Sequence, residues 1–335
     1  MTDQTTFAAD LQRKIDMKTK PLGALGRIEE VAAQIATIQR SLTPKMNSCQ
    51  LTIFAGDHGI AETGVSAFPQ EVTRQMVLNF LGQGAAANVF AKSVGASLRV
   101  VDAGVAGEPF NEPDLINARV GAGTANFLTE PAMTEAQLND AMSKGETLGA
   151  DGNWDAVAFG EMGIANTSSA SMIAHKITGV GLDVLTGRGT GLDDAGLSAK
   201  EQTLREAADR TGALNARETL REYGGFEIAM MTGAIIGAAK AGRVVIVDGF
   251  IATSAALVAA ELEPTTRTAM IFAHKSEEQG HIAMLAALNA APLLDLNLRL
   301  GEGTGALLVW PLLQAATAML NNMASFEVAG VSGPS

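Results

Sequence analysis

The segment Val244-Val245-Ile246-Val247 is an uninterrupted apolar run that ends in Asp248-Gly249 and precedes a helical pattern. The same arrangement recurs along the chain, where short apolar runs end in Gly, Asp, Glu or His and are each followed by a helical stretch. The other runs are Gln50 to Ala55, Leu98 to Val101, Ala156 to Phe159, Ala269 to Phe272 and Leu293 to Leu298. Such runs, alternating with helices, are typical of βαβ units and of a parallel sheet buried on both faces. They predict a doubly wound α/β fold with about six strands.

The composition limits the class of protein. The chain has 335 residues, a formal net charge of -12 and 4 % aromatic residues. This length is enough for one large α/β domain with an appendage, or for two modest domains. The acidic balance argues against a nucleic-acid surface, so small molecules or further copies of the chain are the expected partners. An anionic substrate must then be held by locally placed cations and helix N-termini.

The expected compartment follows from the single cysteine and the polar start of the chain. Cys49 has no partner for an internal disulfide, and residues 1–10 are too polar for a signal sequence. We therefore expect a cytoplasmic location. The longest uncharged apolar stretch, Thr304 to Leu320, contains Pro311 and Gln314, so a buried helix is favoured over a membrane span.

Three further patterns concern local structure. Two helical patterns, about Phe7 to Met17 and Ala24 to Ile38, predict a helical appendage at the start of the chain. Gly104 to Thr124 contains many turn formers and is predicted to be a long surface loop. The segment 198–201 fits a capping box with Ser198 as N-cap, which predicts that Lys200 lies in a first helical turn.

One carboxylate stands between glycines, in Gly301-Glu302-Gly303-Thr304-Gly305-Ala306. The segment follows an apolar run and precedes a helical pattern, so Glu302 is expected where a strand turns into a helix. Flanking glycines let a small molecule approach the backbone, and we expect the first amides of the helix to face the same cavity. A carboxylate beside free N–H donors suits proton removal next to an anionic substrate. Glu302 is therefore the candidate catalytic base.

Two other interpretations of this loop stay open. Residues 301–306 also fit the loose dinucleotide-binding pattern G-x-G-x-x-A, which is a weak signal without its surroundings. The surroundings are unfavourable, because few residues follow Ala306 and the pattern requires a further strand and acid beyond it. A purely structural turn is the second alternative.

Polar residues follow each apolar run. In an open parallel sheet, ligands bind outside the carboxyl ends of the strands, so these residues delimit the predicted site. They are Gly56-Asp57-His58-Gly59, Asp102-Ala103-Gly104, Gly160-Glu161-Met162-Gly163, Asp248-Gly249-Phe250, His274-Lys275-Ser276, and Arg299 with Glu302.

Two of the glycine-containing segments suit ligand binding. Residues 160–169 join an acid, a glycine pair and small polar residues at a predicted helix start, where amides and hydroxyls can cradle a phosphate. Ordinary N-capping by Asn166 or Thr167 is an equally weighted alternative. Gly187 to Asp194 is glycine-rich and long enough to act as a lid.

The remaining motifs give little support for a metal. Val244 to Ser254 is similar to the phosphoribosyl-pyrophosphate loop, which normally pairs two acids, but Gly249 stands at the second position. A sheet-to-helix turn is therefore favoured over binding of pyrophosphate with magnesium. The histidines show no metal-site spacing, and we expect no metal and no cofactor. They are His58, His175, His274 and His281.

Six ordered segments together form a pattern that covers nearly the whole chain. They are residues 20–26 (KPLGALG), 55–59 (AGDHG), 160–167 (GEMGIANT), 187–194 (GRGTGLDD), 247–250 (VDGF) and 300–306 (LGEGTGA). In order and spacing they resemble the nicotinate-nucleotide:dimethylbenzimidazole phosphoribosyltransferase family. The resemblance implies a Rossmann-like large domain, with a mostly parallel six-stranded sheet flanked by helices, and a small helical domain from the two chain ends. The corresponding boundaries are 44–320 for the large domain, and 1–43 with 321–335 for the small one.

The resemblance also implies a function and an assembly. It implies a cytoplasmic homodimer that converts nicotinate mononucleotide and 5,6-dimethylbenzimidazole to α-ribazole 5′-phosphate and nicotinate, which supplies the lower ligand of cobalamin. Glu302 falls on the family's catalytic base and Glu161 on its second active-site acid. The positions expected near the nucleotide phosphate are Gly163, Asn166, Thr167, Ser168, Lys200, Ser276 and Arg299. The region of the acceptor pocket contains Ser66, Phe68, Gln75 and Met76.

A single carboxylate suits this chemistry. Nicotinate mononucleotide carries a positively charged pyridinium, so nicotinate leaves as a neutral ring nitrogen and needs no general acid, in contrast to glycoside hydrolysis. The acceptor must lose the proton of its second imidazole nitrogen, and this is the role assigned to Glu302. Glu161, if it lies near C1′, can stabilise oxocarbenium character or orient the acceptor. Two rival classes remain: a non-catalytic nucleotide-binding or regulatory protein, and a nicotinamide-dependent oxidoreductase.

Overall fold

The computed structural model describes residues 4–189 and 191–332. The strands are β1 Cys49–Gly56, β2 Ser97–Gly104, β3 Leu115–Asn117, β4 Ala156–Met162, β5 Val244–Val247, β6 Met270–Phe272, β7 His274–Ser276 and β8 Leu294–Leu298. The α-helices are α1 Gln4–Asp16, α2 Arg27–Ile38, α3 Glu71–Leu81, α4 Ala86–Val94, α5 Glu135–Ala150, α6 Asn166–Thr178, α7 Leu182–Leu185, α8 Asp194–Asp209, α9 Ala216–Tyr223, α10 Phe226–Lys240, α11 Phe250–Leu262, α12 His281–Ala287, α13 Thr304–Asn322 and α14 Phe326–Ala329.

Six strands form one sheet in the order β3-β2-β1-β4-β5-β6, and every neighbouring pair is parallel. This is the strand order of the Rossmann fold, in which the chain direction across the sheet reverses between β1 and β4. The predicted α/β fold with a six-stranded sheet is confirmed. The reversal places the carboxyl ends of β1 and β4 beside a crevice, where parallel sheets bind their ligands.

One member of the sheet differs from the prediction. The run Leu293 to Leu298 forms β8, which pairs with β7 in a separate two-stranded sheet. The sixth strand is instead β3, inside the segment Gly104 to Thr124 that was predicted to be a loop. Alternating Leu and polar residues leave β8 largely exposed, so it lacks the burial on both faces of an interior strand. With three residues, β3 is too short to produce a periodic pattern.

Side chains alternate along the central strands and contribute to two apolar cores. On one face, Val157 and Phe159 of β4 pack with the helices α5, α6, α10 and α11. On the other face, Leu51 and Ile53 of β1 pack with α1, α2, α4 and α13. The predicted buried helix is α13, and Trp310 within it is almost fully buried. In the part of the chain that the structure describes, no helix is both long and apolar enough to cross a membrane.

Helices α5 and α10 approach each other backbone to backbone at glycines of both helices. A Cβ atom added at Gly149 would lie 2.0 Å from the carbonyl oxygen of Ala234, and one added at Gly237 would lie 2.1 Å from that of Glu146. Backbone atoms cannot move aside as a flexible side chain can. The glycines therefore set the distance between these two helices.

We expect Gly149→Ala to destabilise the fold by about 3 kcal/mol, because the added methyl group has no space between the two backbones. Urea unfolding measures this free energy. Gly212→Ala is the matched control, since a Cβ there meets no atom within 4 Å, and its stability should stay the same or rise slightly. Equal stabilities of the two variants would contradict the close packing of α5 on α10.

The two ends of the chain meet. The amide of Thr19 donates to the carbonyl oxygen of Ala324 at 3.1 Å, and the amide of Phe326 donates to that of Met17 at 3.0 Å. The division into a large domain and a small domain from both ends stays a prediction. Residues 1–3 and 333–335 of the predicted small domain lie outside the described residues, as does Thr190 of the predicted lid segment.

The predicted capping box at Ser198 is wrong. Helix α8 begins at Asp194, and the side chain of Asp193 accepts a hydrogen bond from the amide of Gly196 at 2.8 Å. The hydroxyl of Ser198 donates inside the helix to the carbonyl oxygen of Asp194 at 2.9 Å. Asp193 is as good an N-cap as serine and comes first along the chain, so the helix starts one turn earlier. Lys200 therefore lies in the second turn.

Candidate active site

A cavity of about 630 Å³ lies at the carboxyl ends of β4 and β5, beside the small β7–β8 sheet. It contains most of the residues predicted from the sequence, although they come from distant parts of the chain. Those that line it are Phe68, Met76, Glu161, Gly163, Asn166, Thr167, Ser276, Arg299 and Glu302. Their catalytic and binding roles remain predictions.

Four predicted residues are placed around the cavity rather than in its wall. The ammonium of Lys200 is buried behind it and donates to the Thr167 hydroxyl at 2.9 Å and to the Gly187 carbonyl oxygen at 3.3 Å. Ser168 is fully buried in α6, and its hydroxyl has no hydrogen-bond partner within the described ranges. Ser66 precedes α3, where its hydroxyl accepts from the amide of Phe68, and Gln75 is exposed on α3.

Glu302 lies in a turn of three successive residues with positive φ, at +87° for Gly301, +62° for Glu302 and +79° for Gly303. A Cβ atom at Gly301 would lie 2.3 Å from Oε1 of Glu161, and one at Gly303 would lie 2.4 Å from Cδ1 of Leu51. Left-handed backbone is unfavourable for a glutamate and persists only where the surroundings enforce it. The glycines are thus required for close approach, because the turn packs against the Glu161 carboxyl and the side chain of Leu51.

The N-terminus of α4 holds the Glu302 carboxyl from the opposite side. The amide of Ala87 donates to Oε2 of Glu302 at 3.3 Å. Burial raises the pKa of Glu302, the hydrogen bond from Ala87 lowers it, and the nearby charge of Asp248 raises it again, with a net upward shift. A carboxylate with a raised pKa is a better proton acceptor at neutral pH, which suits a general base.

Asp248, at the end of β5, occupies the N-terminus of α13. Its Oδ1 accepts from the amide of Ala306 at 2.8 Å, and its carboxylate also accepts from the amides of Gly303 and Gly305. Burial raises the pKa of Asp248, while His274, whose Nε2 lies 3.8 Å from Oδ1, lowers it. The prediction that these amides are free to face an anionic substrate is wrong, because a carboxylate of the protein already caps them.

The capping by Asp248 also argues against two alternative interpretations. These are dinucleotide binding at residues 301–306 and a pyrophosphate loop at Val244 to Ser254. A pyrophosphate needs free amides at a helix N-terminus, so the occupied amides of α13 argue against dinucleotide binding there. Asp248 serves as the cap of a neighbouring helix, in accord with the sheet-to-helix turn rather than a pyrophosphate loop. Within residues 4–189 and 191–332, no group of His, Cys, Asp and Glu is arranged to hold a metal ion.

Glu161, at the end of β4, faces three other acids. Burial raises its pKa to about 8, together with the charges of Glu227, Asp248 and Glu302, although a hydrogen bond from the Asn166 side chain opposes the shift. Its surroundings therefore favour the protonated form of Glu161. A positive charge that enters the cavity favours the carboxylate form.

The start of α6 supports the ligand-binding interpretation over ordinary capping. The N-cap position is Ala165, which has a φ of +76° and no capping side chain. The side chain of Asn166 donates to Glu161, and the hydroxyl of Thr167 accepts from Lys200. Neither side chain caps the helix, so the N-capping alternative is wrong and both residues are held in the cavity wall.

Cations and one acid surround the other end of the cavity. Burial lowers the pKa of Lys200 to about 8, and the charge of Glu278 partly offsets this shift. Arg299 donates through Nη1 to the carbonyl oxygen of Gly189 at 3.4 Å, and Ser276 also lines this end. Burial raises the pKa of Glu278, against the opposing charges of Lys200 and Arg299.

Sequence reasoning missed the polar cavity residues Glu278 and Asn297. The apolar wall includes Met162, Ile164 and Phe250. These three belong to segments that the sequence had already assigned to the predicted site, although none of them was singled out as a site residue. Glu278 and Asn297 carry no signal in the sequence, because they reach the cavity only through the pairing of β7 with β8.

The comparisons with known proteins agree on one family. A family model described as phosphoribosyltransferase matches residues 2–331. The nicotinate-nucleotide–dimethylbenzimidazole phosphoribosyltransferase of Dechloromonas aromatica is 54 % identical over 330 residues, which cover 96 % of this chain and 94 % of that protein. The enzyme of the same name from Vibrio vulnificus is 48 % identical and covers 97 % of this chain and 98 % of its own length.

Solved structures give the same result for the fold. The crystal structure of CobT from Thermus thermophilus superposes with a TM-score of 0.94 at 40 % identity, and the match covers 98 % of this chain and 100 % of that one. A similarity of this extent includes the six-stranded sheet and the helices that flank it. The chain therefore belongs to the family of nicotinate-nucleotide–dimethylbenzimidazole phosphoribosyltransferases.

Proposed function

We propose that the protein transfers the 5-phosphoribosyl group of nicotinate mononucleotide to 5,6-dimethylbenzimidazole or a related acceptor, giving α-ribazole 5′-phosphate and nicotinate. The observation that carries this proposal is that Glu302 and Glu161 line one cavity together with Arg299, while the ammonium of Lys200 lies behind the same cavity wall at Thr167. Its acids suit a cationic reaction centre, and its cations suit a phosphate. The names of the relatives specify the same two substrates.

The polarity of the cavity orients the nucleotide. The phosphate lies beside Arg299, Ser276 and Thr167, in front of the buried ammonium of Lys200, which donates to the Thr167 hydroxyl. The ribose then reaches Glu161, and the pyridinium lies among acids that favour its positive charge. The acceptor ring packs against Phe68 and Met76, on the apolar side of the same cavity.

The transfer is a single displacement at C1′ of the ribose. The free imidazole nitrogen of the acceptor forms the new bond to C1′ while the bond to the pyridinium nitrogen breaks, and its electron pair stays on nicotinate. The proton of the other imidazole nitrogen moves to Glu302. The Glu161 carboxylate, once ionised, stabilises the positive charge that develops on the ribose.

Incubation of the protein with nicotinate mononucleotide and 5,6-dimethylbenzimidazole should release free nicotinate. Because attack occurs on the face opposite the pyridinium, one displacement converts the β-nucleotide to an α-ribotide. Proton NMR of the anomeric coupling and cross-relaxation identifies the anomer. A β product would overturn the one-step mechanism in favour of two displacements through Glu161, and no release of nicotinate would overturn the proposed function.

We further propose that the protein acts as a homodimer in the cytoplasm, as the family resemblance implies. Light scattering coupled to size-exclusion chromatography measures the mass in solution, and a mass near 69 kDa, twice the 34.6 kDa of one chain, is expected. A mass of one chain at the concentrations used for the assay would contradict the dimer.

A further inference from the structure

A second group of polar side chains is buried behind the cavity, just after β1. Nε2 of His58 lies 2.7 Å from Oε1 of Glu227, and Nδ1 of His58 lies 2.9 Å from Oγ of Ser169. All three residues have an exposed fraction of 0 %. Serine, histidine and a carboxylate also form hydrolytic triads, but complete burial leaves no access for a substrate to this serine. The group must therefore act through its neighbours.

The backbone of Gly163 lies between the His58–Glu227 pair and the cavity. A Cβ atom added at Gly163 would lie 3.4 Å from Nε2 of His58 and 3.5 Å from Oε1 of Glu227. Gly163 itself lines the cavity, two residues after Glu161. A charge on the pair thus acts on Glu161 across a thin layer of protein, where electrostatic interactions are stronger than in water.

The two carboxylate oxygens of Glu227 differ in their hydrogen bonding. His58 binds Oε1, whereas Oε2 is buried and has no hydrogen-bond partner within the described ranges. Space for this oxygen exists because a glycine stands at Gly225, where a Cβ atom would lie 2.4 Å from Oε2. Unpaired negative charge close to Glu161 favours the protonated form of that acid.

The charges around the two acids come from separate elements of the fold. Three acids face Glu161: Glu227 at the start of α10, Asp248 at the end of β5 and Glu302 before α13. The neutral side chain of Asn166 on α6 also faces it. Glu227 in turn faces His58 and Asp57, both of which follow β1. After burial, Glu227 is the largest cause of the raised pKa of Glu161.

We infer that Glu227, clamped by His58 behind Gly163, is a positioning residue that controls the charge of Glu161 during the transfer reaction. Before the nucleotide binds, the charge of Glu227 favours the protonated form of Glu161. When the pyridinium of the nucleotide enters, its positive charge offsets the surrounding acids and Glu161 releases the proton to solvent. The resulting carboxylate then faces the ribose as C1′ becomes cationic. The inference rests on the proposed function, because it requires a cationic nucleotide beside Glu161.

The pH dependence of kcat/KM for nicotinate release tests this role. If Glu161 must be ionised in the transition state, the rate rises with pH through the pKa of Glu161 as well as through that of the base Glu302. Glu161→Gln should therefore remove the contribution of Glu161 and leave that of Glu302. Glu227→Gln keeps the shape and the hydrogen bond to His58 but removes the charge, so the rising limb should move to lower pH by about 1 unit. Glu227→Asp keeps the charge and should leave the limb in place.

Glu222→Gln is the matched control, since Glu222 is also a buried acid, is paired with Arg210, and is absent from the groups that face Glu161. Its pH profile should coincide with that of the wild type. The inference is overturned if the limb of Glu227→Gln does not move, or if Glu161→Gln leaves the pH profile of the wild type unchanged. A wild-type protein that releases no nicotinate would instead overturn the proposed function.

A measurement on the wild type decides the matter if Glu227→Gln fails to fold. Calorimetric titration with nicotinate mononucleotide, in buffers with different ionisation enthalpies, counts the protons released on binding. We expect about one proton per nucleotide at pH 7, because Glu161 ionises when the pyridinium enters. Binding without proton release would overturn the inference, and the absence of binding would overturn the proposed function.

Discussion

Glu302→Gln should lower kcat by about 10² to 10⁴, the usual range for the loss of a positioned base. Glutamine has the same shape and can still accept the hydrogen bond from the amide of Ala87, so the turn at Glu302 and the fold should persist. The amide cannot take the imidazole proton of the acceptor. Steady-state assays of nicotinate release measure kcat, and calorimetry should give an affinity for nicotinate mononucleotide close to that of the wild type.

The matched control is Asp295→Asn. Asp295 is an exposed acid on β8, the strand that leads to Glu302, and it pairs with Lys275 outside the cavity. We expect its activity to equal that of the wild type. A Glu302→Gln variant within a few-fold of the wild type would remove Glu302 as the base. Proton transfer to water or to Glu161 would then be the next hypothesis.

Lys200→Met should weaken the binding of nicotinate mononucleotide by about 10-fold to 100-fold, the effect of losing a charge-assisted hydrogen bond to phosphate. Methionine fills most of the buried volume of the lysine side chain, so loss of packing should contribute little. The affinity for the acceptor should change less, because Lys200 lies at the far end of the cavity. Arg299→Ala should act in the same direction, but more weakly, because its side chain is exposed.

The pH dependence of nucleotide binding provides a second readout for Lys200. Burial lowers the pKa of Lys200 to about 8, so the ammonium is charged below this pH and neutral above it. Affinity for the nucleotide should therefore fall as the pH rises above 8, where Glu161 is already ionised and releases no proton on binding, and Lys200→Met should lose this fall. Calorimetry between pH 7 and pH 9 provides the comparison.

Lys176→Met controls for the loss of a partly buried lysine. The ammonium of Lys176 donates to the carbonyl oxygens of Ala208 and Thr211, away from the cavity. Its removal should reduce stability without a change in nucleotide affinity. Equal nucleotide affinities of wild type, Lys200→Met and Arg299→Ala would place the phosphate elsewhere.

Local patterns in the sequence were enough to predict the fold class and most members of the site. Apolar runs such as Val244 to Val247 are local signals, because a strand buried on both faces must be apolar throughout. Polar residues at strand ends then identify the site, since the carboxyl ends of parallel strands share one edge of the sheet. Glu302, Glu161 and Gly163 were all found in this way, and all three line the cavity.

The pairing of these groups, in contrast, depends on contacts between distant parts of the chain. The N-terminal amides of α13 were expected to be free, but the carboxylate of Asp248, from a strand more than fifty residues earlier, occupies them. Lys200 lies behind the cavity wall rather than in it. Strand β8 pairs with β7 outside the main sheet. Such partners are distant in sequence, and periodicity contains no information about them.

Glu161 and Glu227 illustrate the same difference between what the sequence predicts and what only the folded structure shows. The position of Glu161 follows from the end of β4, which the sequence indicated. Its raised pKa depends on Glu227, and Glu227 begins a helix whose pattern is apolar and gives no sign of an adjoining site. Burial and the placement of charges are properties of the packed chain. They arise when four elements converge on Gly163, and for that reason they can be read only from the folded structure.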